Sequence, residues 1–170
     1  MALSRRSILG LGLGGTIALT LGGLALFPGR GVTPQSPLQS FTPAQYATLC
    51  ALAEVVCPAS DALPSALEVG VPAQLDALFA TLPPENGQEI GLALGLLENA
   101  LVGALLDARP RPFSRLPIER RVEIWAAWSR SNIPLRRTVY KGLNSLISAT
   151  AYGNPAYQRH AGYPGPPVPA

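Results

Sequence analysis

Apolar residues recur at intervals of three and four between residues 42 and 152, in stretches separated by proline and glycine. This spacing places the apolar side chains of each stretch on one side, as in an amphipathic helix that packs on a core. No stretch alternates apolar and polar residues over the length of a strand. The pattern therefore predicts an all-α fold, a single small bundle of about five helices.

Capping residues and prolines mark the limits of these helices. Thr42 precedes Pro43 and is followed three residues later by Gln45, the signature of a capped helix start. The predicted helices cover about residues 42–57, 72–82, 85–107, 117–131 and 134–152. Their predicted inward side chains include Leu49, Leu52, Ala53 and Val56, then Leu75, Leu78, Phe79 and Leu82, then Ile118, Val122, Trp125 and Ala126, then Val139, Leu143, Leu146 and Ile147.

The run from Glu85 to Asp107 is the longest and is apolar on most sides. A helix that is hydrophobic nearly all round is a buried helix, so we expect it to be the central helix of the bundle. Glu98 and Asn99 stand in its middle. An acid at the centre of a membrane span costs roughly 2.5–3.5 kcal/mol on insertion scales, which argues against a membrane-spanning role.

The first thirty residues have the pattern of an export signal. Arg5 and Arg6 precede an apolar run from Ile8 to Phe27 that is diluted by glycine, and paired arginines mark the twin-arginine route. The run has the length of a membrane span and no clear cleavage site follows it, so removal of the signal and its retention as an anchor both stay open. In either case the arginines lie on the cytoplasmic side, which predicts a periplasmic body.

Charge divides the rest of the chain into two halves. Residues 31–107 contain eight acids and no lysine or arginine, whereas residues 108–170 contain ten lysines or arginines and two acids. The basic residues are spread over two predicted helices and a loop of an exported chain, so we expect no nucleic acid partner. Pairing between the two halves, or with a charged partner surface, is the preferred interpretation.

Residues that could carry chemistry are few. Cys50 and Cys57 would lie about 10 Å apart on a continuous helix, beyond the roughly 7 Å limit for a disulfide, and are interpreted as buried apolar side chains. A disulfide stays an alternative only if the helix breaks before Cys57, which Pro58 permits. One histidine and two cysteines make no metal-ligand cluster. His160 has no nucleophile or carboxylate near it in sequence, and Glu119 and Glu123 fit a solvated helix face. We therefore predict no catalytic, cofactor or metal site in this chain.

The last residues, 153–170, are predicted to form an extended tail rich in proline, glycine and aromatic residues. They follow the helical domain of residues 42–152, which a linker of residues 31–41 joins to the signal segment of residues 1–30. Proline lowers the entropy lost on docking, and aromatic side chains dominate binding hot spots. The predicted partner interface comprises Trp128, Tyr140, Tyr152, Tyr157, Tyr163, Pro164, Gly165 and Pro166.

A series of short motifs follows the twin-arginine start in order. They are Phe41-Thr42-Pro43-Ala44, Glu54-Val55-Val56-Cys57-Pro58, Gly70-Val71-Pro72-Ala73, Phe113-Ser114-x-Leu116 with Arg120-Arg121, Trp128-x-x-Ser131, Tyr152-Gly153-Asn154-Pro155 and Gly162-Tyr163-Pro164-Gly165-Pro166. Together they resemble the gluconate 2-dehydrogenase subunit 3 family over about residues 1–167. Two positions depart from the family pattern: Cys57, where an aliphatic residue is usual, and Ala161, where a larger apolar residue is typical.

The resemblance implies a non-catalytic accessory subunit. Small subunits of this family pair with a large FAD-dependent flavoprotein of the glucose-methanol-choline oxidoreductase type, often with a cytochrome c subunit carrying haem c as the electron exit. The large subunit commonly lacks a signal, so the small one escorts it through the twin-arginine translocase. The resemblance thus implies FAD in the partner and no cofactor in this chain.

Two other functions stay open on the sequence. An enzyme would require a cofactor or a base–nucleophile pair in this chain, and an optical spectrum of the purified chain would reveal a coloured cofactor. A membrane-anchored helical scaffold of the periplasm, with no redox partner, would need only the signal segment and the bundle. A neighbouring reading frame for a large flavoprotein without its own signal would argue against the scaffold.

Overall fold

A computed structural model describes residue 34, residues 36–108, residues 111–160 and residue 162. Within these ranges the chain is all-α, as predicted, and contains seven α-helices and one 3₁₀ turn. The helices are α1 (Pro43–Val56), α2 (Val71–Ala80), α3 (Pro84–Glu98), α4 (Ala100–Asp107), α5 (Ile118–Ser129), α6 (Pro134–Gly153) and α7 (Pro155–His160); the 3₁₀ turn is Phe113–Arg115. No helix of the described ranges is long and apolar enough to cross a membrane, and Ile8–Phe27 lies outside them.

Helix α1 is the centre of the bundle. It contacts α2, α3, α5, α6 and the 3₁₀ turn, and eight of its consecutive residues, 46–53, are buried. Several of these side chains are small, so the neighbouring helices can approach α1 from every side. The buried Thr48 hydroxyl donates to the Ala44 carbonyl (3.0 Å), so its polar group is satisfied within the helix. The expectation that Glu85–Asp107 is the central helix is therefore wrong. The predicted capping box is confirmed, since Thr42 and Gln45 bond each other's backbone amides.

The predicted single run from Glu85 to Asp107 is two helices, because Asn99 divides it. The Asn99 amide donates to the Gly95 carbonyl (3.0 Å) at the end of α3, and its Oδ1 accepts from the Val102 amide (3.1 Å) at the start of α4. Asparagine is among the best residues at helix starts because its side chain satisfies such amides. Glu98 beside it is buried, and its carboxylate accepts from the amide and hydroxyl of Ser114 (2.9 and 2.6 Å).

The inward face of α5 differs from the predicted one. Ile124, Trp125 and Trp128 are buried, whereas Ile118 and Val122 are 37% and 46% exposed. Because two indoles bury far more apolar area than Ile118 and Val122, they decide which side of the helix faces the core. In α6 the predicted face is confirmed: Val139, Leu143 and Ile147 are buried, and Leu146 packs partly against the core.

The predicted extended course of residues 153–170 is wrong over Pro155–His160, which form helix α7. The Asn154 Oδ1 accepts from the Ala156 amide (2.8 Å), and Pro155 occupies the first helical position, where its missing amide proton costs nothing. The Asn154 side-chain amide also donates to the Val69 carbonyl (3.0 Å), which fixes the bend against the loop before α2. Residues 163–170 lie outside the described residues.

Ion pairs of Glu54 and Asp107, both within the described residues, join the acidic half of the chain to the basic half. Glu54 of α1 pairs with Arg121 (2.7 Å), whose guanidinium also donates to the Ala51 carbonyl (2.7 Å). Asp107 of α4 pairs with Arg136 of α6 (2.8 Å), and both side chains are less than a tenth exposed. The predicted complementarity between the two halves is confirmed at these positions.

Replacing Arg136 by alanine should destabilise the fold by about 3 kcal/mol, because it removes the cation that faces a nearly buried carboxylate. Arg130→Ala is the matched control, since Arg130 is exposed, and should change the free energy of unfolding by less than about 0.5 kcal/mol. Urea unfolding monitored by circular dichroism measures both. Equal losses in the two variants would contradict a stabilising role for the Asp107–Arg136 pair.

Candidate partner interface

The predicted interface residues are distributed over the core, the surface and the undescribed tail. Trp128 and Tyr157 are buried, Tyr140 is half-buried and Tyr152 is exposed. The remaining predicted residues, Tyr163, Pro164, Gly165 and Pro166, lie outside the described residues, as do Arg5 and Arg6 of the export signal. The structure therefore places two of the predicted aromatic anchors on the surface and two inside the domain.

Trp128 belongs to an aromatic cluster inside the bundle. Its ring lies 6.1 Å from that of Trp125, which in turn lies 4.8 Å from the ring of Tyr140. The Arg136 guanidinium carbon lies 4.9 Å from the Trp128 ring centroid, at cation–π distance. Because Trp128 is fully buried, its assignment as an interface anchor is wrong for the folded chain. Its indole Nε1 has no hydrogen-bond partner among the described residues.

Tyr157 is 3% exposed, so its assignment as an anchor is also wrong. Helix α7 directs the Tyr157 side chain into the core, whereas the predicted extended tail would have left it available to a partner. Burial raises the pKa of its phenol, and the neighbouring Cys57 and Tyr152 raise that pKa further. Tyr157 thus anchors α7 to the core, and its ring supports the ring of Tyr152.

Tyr152 lies on the outer side of α6, at its C-terminal end, and is 56% exposed. Its ring meets that of Tyr157 edge to face, with centroids 5.1 Å apart and planes at 74°. This contact holds an exposed aromatic side chain in place before any partner arrives, which lowers the entropy lost on binding. Tyr140 lies twelve residues earlier on the same helix, so the two phenols are separated by about 18 Å along its axis.

The interface predicted from the sequence did not include exposed aliphatic side chains. Leu105 of α4 is 84% exposed, and Leu135 and Ile133 beside the start of α6 are 50% and 39% exposed. Single exposed apolar residues are ordinary on protein surfaces, but a leucine side chain that is 84% exposed offers most of its apolar area to a binding partner. The sequence signal was Asn99, since the helix break there sets the direction in which α4 presents Leu105.

Both cysteines are buried, as predicted, and their thiols are free in the structure. Burial raises the pKa of the Cys50 thiol to about 12, partly offset by a hydrogen bond with Tyr46. Burial also raises the pKa of Cys57, although hydrogen bonds with Ser148 and Tyr157 oppose this. A thiol with a raised pKa is protonated at neutral pH and is a poor nucleophile, so both act as small core side chains.

The remaining candidate groups lie at the surface. His160 is exposed, and its Nδ1 lies 2.8 Å from the Ala156 carbonyl oxygen of the same helix. Glu123 pairs with Arg120 one turn away on an exposed face, as expected for a solvated helix side. Among the described residues, no three His, Cys, Asp or Glu side chains come together as a metal site would require.

The raised pKa of Cys50 predicts a loss of stability in alkali. The unfolded thiol ionises at a lower pH than the folded one, so the free energy of unfolding falls as the pH rises from about 9 toward 12. The contribution of Cys50 to this fall should reach about 1.4 kcal/mol at pH 10. Urea unfolding at pH 7.5 and pH 10, under reducing conditions, should therefore show a smaller loss for Cys50→Ala than for the unmodified chain. Equal losses would contradict the assignment.

Comparison with known proteins agrees with the motifs noted in the sequence. The sequence model of the family described as gluconate 2-dehydrogenase subunit 3 matches residues 43–165, which include every helix of the bundle. Neither a curated protein nor a solved structure matches the chain significantly. Because the matched region covers well over half of the sequence, the chain belongs to the gluconate 2-dehydrogenase subunit 3 family.

Proposed function

We propose that this chain is a non-catalytic small subunit that binds and stabilises a large FAD-dependent dehydrogenase of the glucose-methanol-choline oxidoreductase type and escorts it through the twin-arginine pathway. The observation that carries the proposal is the family match over residues 43–165. A subunit 3 implies membership in a multi-subunit dehydrogenase complex. The resemblance to the family implies the other components of this complex: the large flavoprotein with its FAD, and a cytochrome c subunit with haem c.

The surface of α6 and the residues beside it support a docking role. Tyr152 is exposed and held in place by Tyr157, and Tyr140 is partly accessible above Trp125. Tyrosine suits such a surface because its ring provides contact area and its hydroxyl stays hydrated or finds a partner. Leu105 and Leu135 add apolar contact area near the other end of α6, where Arg136 joins α4 to α6. A partner covering both ends of α6 would bury these side chains together.

The tail of residues 163–170 extends this proposed interface. It begins directly after Gly162, at the end of α7, and contains Pro164, Pro166, Pro167 and Pro169. Proline-rich segments favour the extended polyproline course and lose little conformational entropy when they are bound. Tyr163, Pro164, Gly165 and Pro166 are therefore proposed to lie along the large subunit.

The export signal completes the proposal. Arg5 and Arg6 begin a twin-arginine signal, and this route carries folded proteins, often with a cofactor already in place. A flavoprotein that binds FAD in the cytoplasm needs such a route. If it lacks its own signal, the signal of a tightly bound small subunit serves both chains, and the assembled complex reaches the periplasm.

Purification of the tagged chain from its native host, followed by an absorption spectrum, tests the proposed function. We expect a stoichiometric large partner with flavin bands, together with haem bands where the cytochrome c subunit is present. A parallel preparation in which Arg5 and Arg6 are replaced by lysine should retain the partner but leave the complex in the cytoplasm. A lone, colourless chain would overturn the proposal and leave the scaffold alternative.

Deleting Gly162–Ala170 tests the tail separately. The deletion should leave helicity unchanged, because the seven helices end at His160, and should abolish co-purification of the large subunit. Replacing Pro164, Pro166 and Pro167 by alanine keeps Tyr163 and the length of the tail, and should weaken binding less than the deletion does. Circular dichroism and co-purification measure the two effects. A truncated chain that still binds and exports its partner would show that the tail is not part of the interface.

A further inference from the structure

Asp76 holds the residues that precede the first helix. Its side chain points from α2 toward the end of the linker, where Oδ2 accepts from the Gln39 amide (2.8 Å) and Oδ1 accepts from the amides of Ser40 and Phe41 (3.0 and 2.8 Å). Three successive backbone amides thus converge on one carboxylate. Asp76 is 4% exposed, so these charge-assisted bonds form largely away from water, where they are strong.

The same segment is fastened at two further points. The Phe41 ring is buried and packs against the ring of Phe79, one turn after Asp76 on α2, with centroids 5.6 Å apart. On the other side the Ser40 hydroxyl lies so close to α3 that a Cβ on Gly87 would be 2.8 Å from its oxygen. We define the strap as residues 38–41, which lie between α2 and α3 and directly before the Thr42 cap of α1.

None of these contacts is local in sequence. Asp76 follows the strap by 35 to 37 residues, so the three hydrogen bonds form only when α2 has docked beside the start of α1. A carboxylate buried without donors would carry a large desolvation penalty, so Asp76 and the strap require each other. Upstream of the strap, Pro34 and Pro37 line an open groove of about 490 Å³ together with Pro72 and Ala73 at the start of α2. The described linker residues therefore lie beside the start of α2.

We propose that the strap is a fold-dependent latch, which fixes the point where the N-terminal export segment leaves the domain once α2 and α3 are in place. When α2 has not docked, the amides of Gln39, Ser40 and Phe41 lack the Asp76 carboxylate as their acceptor. The point at which the export segment leaves the domain is then not fixed. The significance for export rests on the proposed function, since a signal that serves two folded chains gains from a defined position relative to them. The latch itself depends only on the contacts of Asp76.

Hydrogen exchange on the full-length chain in mild detergent tests the latch directly. In the unmodified chain the amides of Gln39, Ser40 and Phe41 should exchange at least ~100-fold more slowly than that of Ser36, because they open only with the docked helices. In Asp76→Asn, one acceptor oxygen becomes an NH₂ group that faces backbone amides, and protection of the three amides should fall at least ~10-fold. Asp61→Asn, in an exposed loop, is the matched control and should leave protection unchanged.

Two results would overturn the latch: exchange of the three amides in the unmodified chain as fast as that of Ser36, or unchanged protection in a folded Asp76→Asn variant. If Asp76→Asn fails to fold, Gln39→Pro removes one donor from the strap without altering any helix, and protection of Ser40 and Phe41 should then fall. The measurement uses neither partner nor translocase. Unprotected strap amides would therefore contradict the latch without affecting whether the large subunit co-purifies. Absence of the large subunit from the pull-down would contradict the proposed function without affecting the exchange rates.

Discussion

The burial of residues 46–53 on every side of α1 is the constraint on which the rest of the structure depends. A helix whose residues 46–53 are all buried needs neighbours on every side, and those neighbours come from both halves of the chain. Helices α2 and α3 cover it from the acidic half, and α5 and α6 cover it from the basic half. The charge division of the sequence is therefore also a division between the two walls of the bundle, which Glu54–Arg121 and Asp107–Arg136 join.

Buried and half-buried polar side chains join the helices to neighbouring backbone segments, both within and between these walls. Asp76 binds the strap before α1, Glu98 binds the 3₁₀ turn through Ser114, and Asn154 binds the loop before α2 through Val69. Each bonds backbone groups of a segment outside the α-helices, where no helical hydrogen bond satisfies those groups. Since an unsatisfied buried polar group costs about 1–3 kcal/mol, these joints allow few alternative arrangements of the same helices. Hydrophobic burial stabilises the bundle, and the polar joints determine its geometry.

The sequence predicted the five main helical segments because periodicity and capping residues are local signals, although the described residues form seven α-helices. It predicted neither the central helix nor the break at Asn99. Small residues such as Ala51 look unremarkable in a periodicity plot, yet they let five elements approach α1. Glu98 stood in the middle of a predicted continuous helix with no visible partner, whereas Ser114, sixteen residues away, donates to its carboxylate. For the interface, the composition identified the aromatic residues but could not assign Trp128 and Tyr157 to the core. The burial of Trp128 depends on which side of α5 faces the core, and the burial of Tyr157 depends on α7 folding back onto the domain.

The aromatic residues consequently divide into two classes with different roles. Trp125, Trp128 and Tyr157 are core residues, so their removal would lower stability and would weaken partner binding only through the loss of the fold. Tyr152 is the inverse case, since its exposed ring contributes little to the core and rests on a buried aromatic neighbour. A core that holds exposed aromatic contacts in fixed positions gives a small subunit specificity without requiring a large rigid surface. The proposed interface is thus a consequence of the same packing that buries α1, because the Tyr152 ring at the end of α6 keeps its edge-to-face contact only while α7 seats Tyr157 in the core.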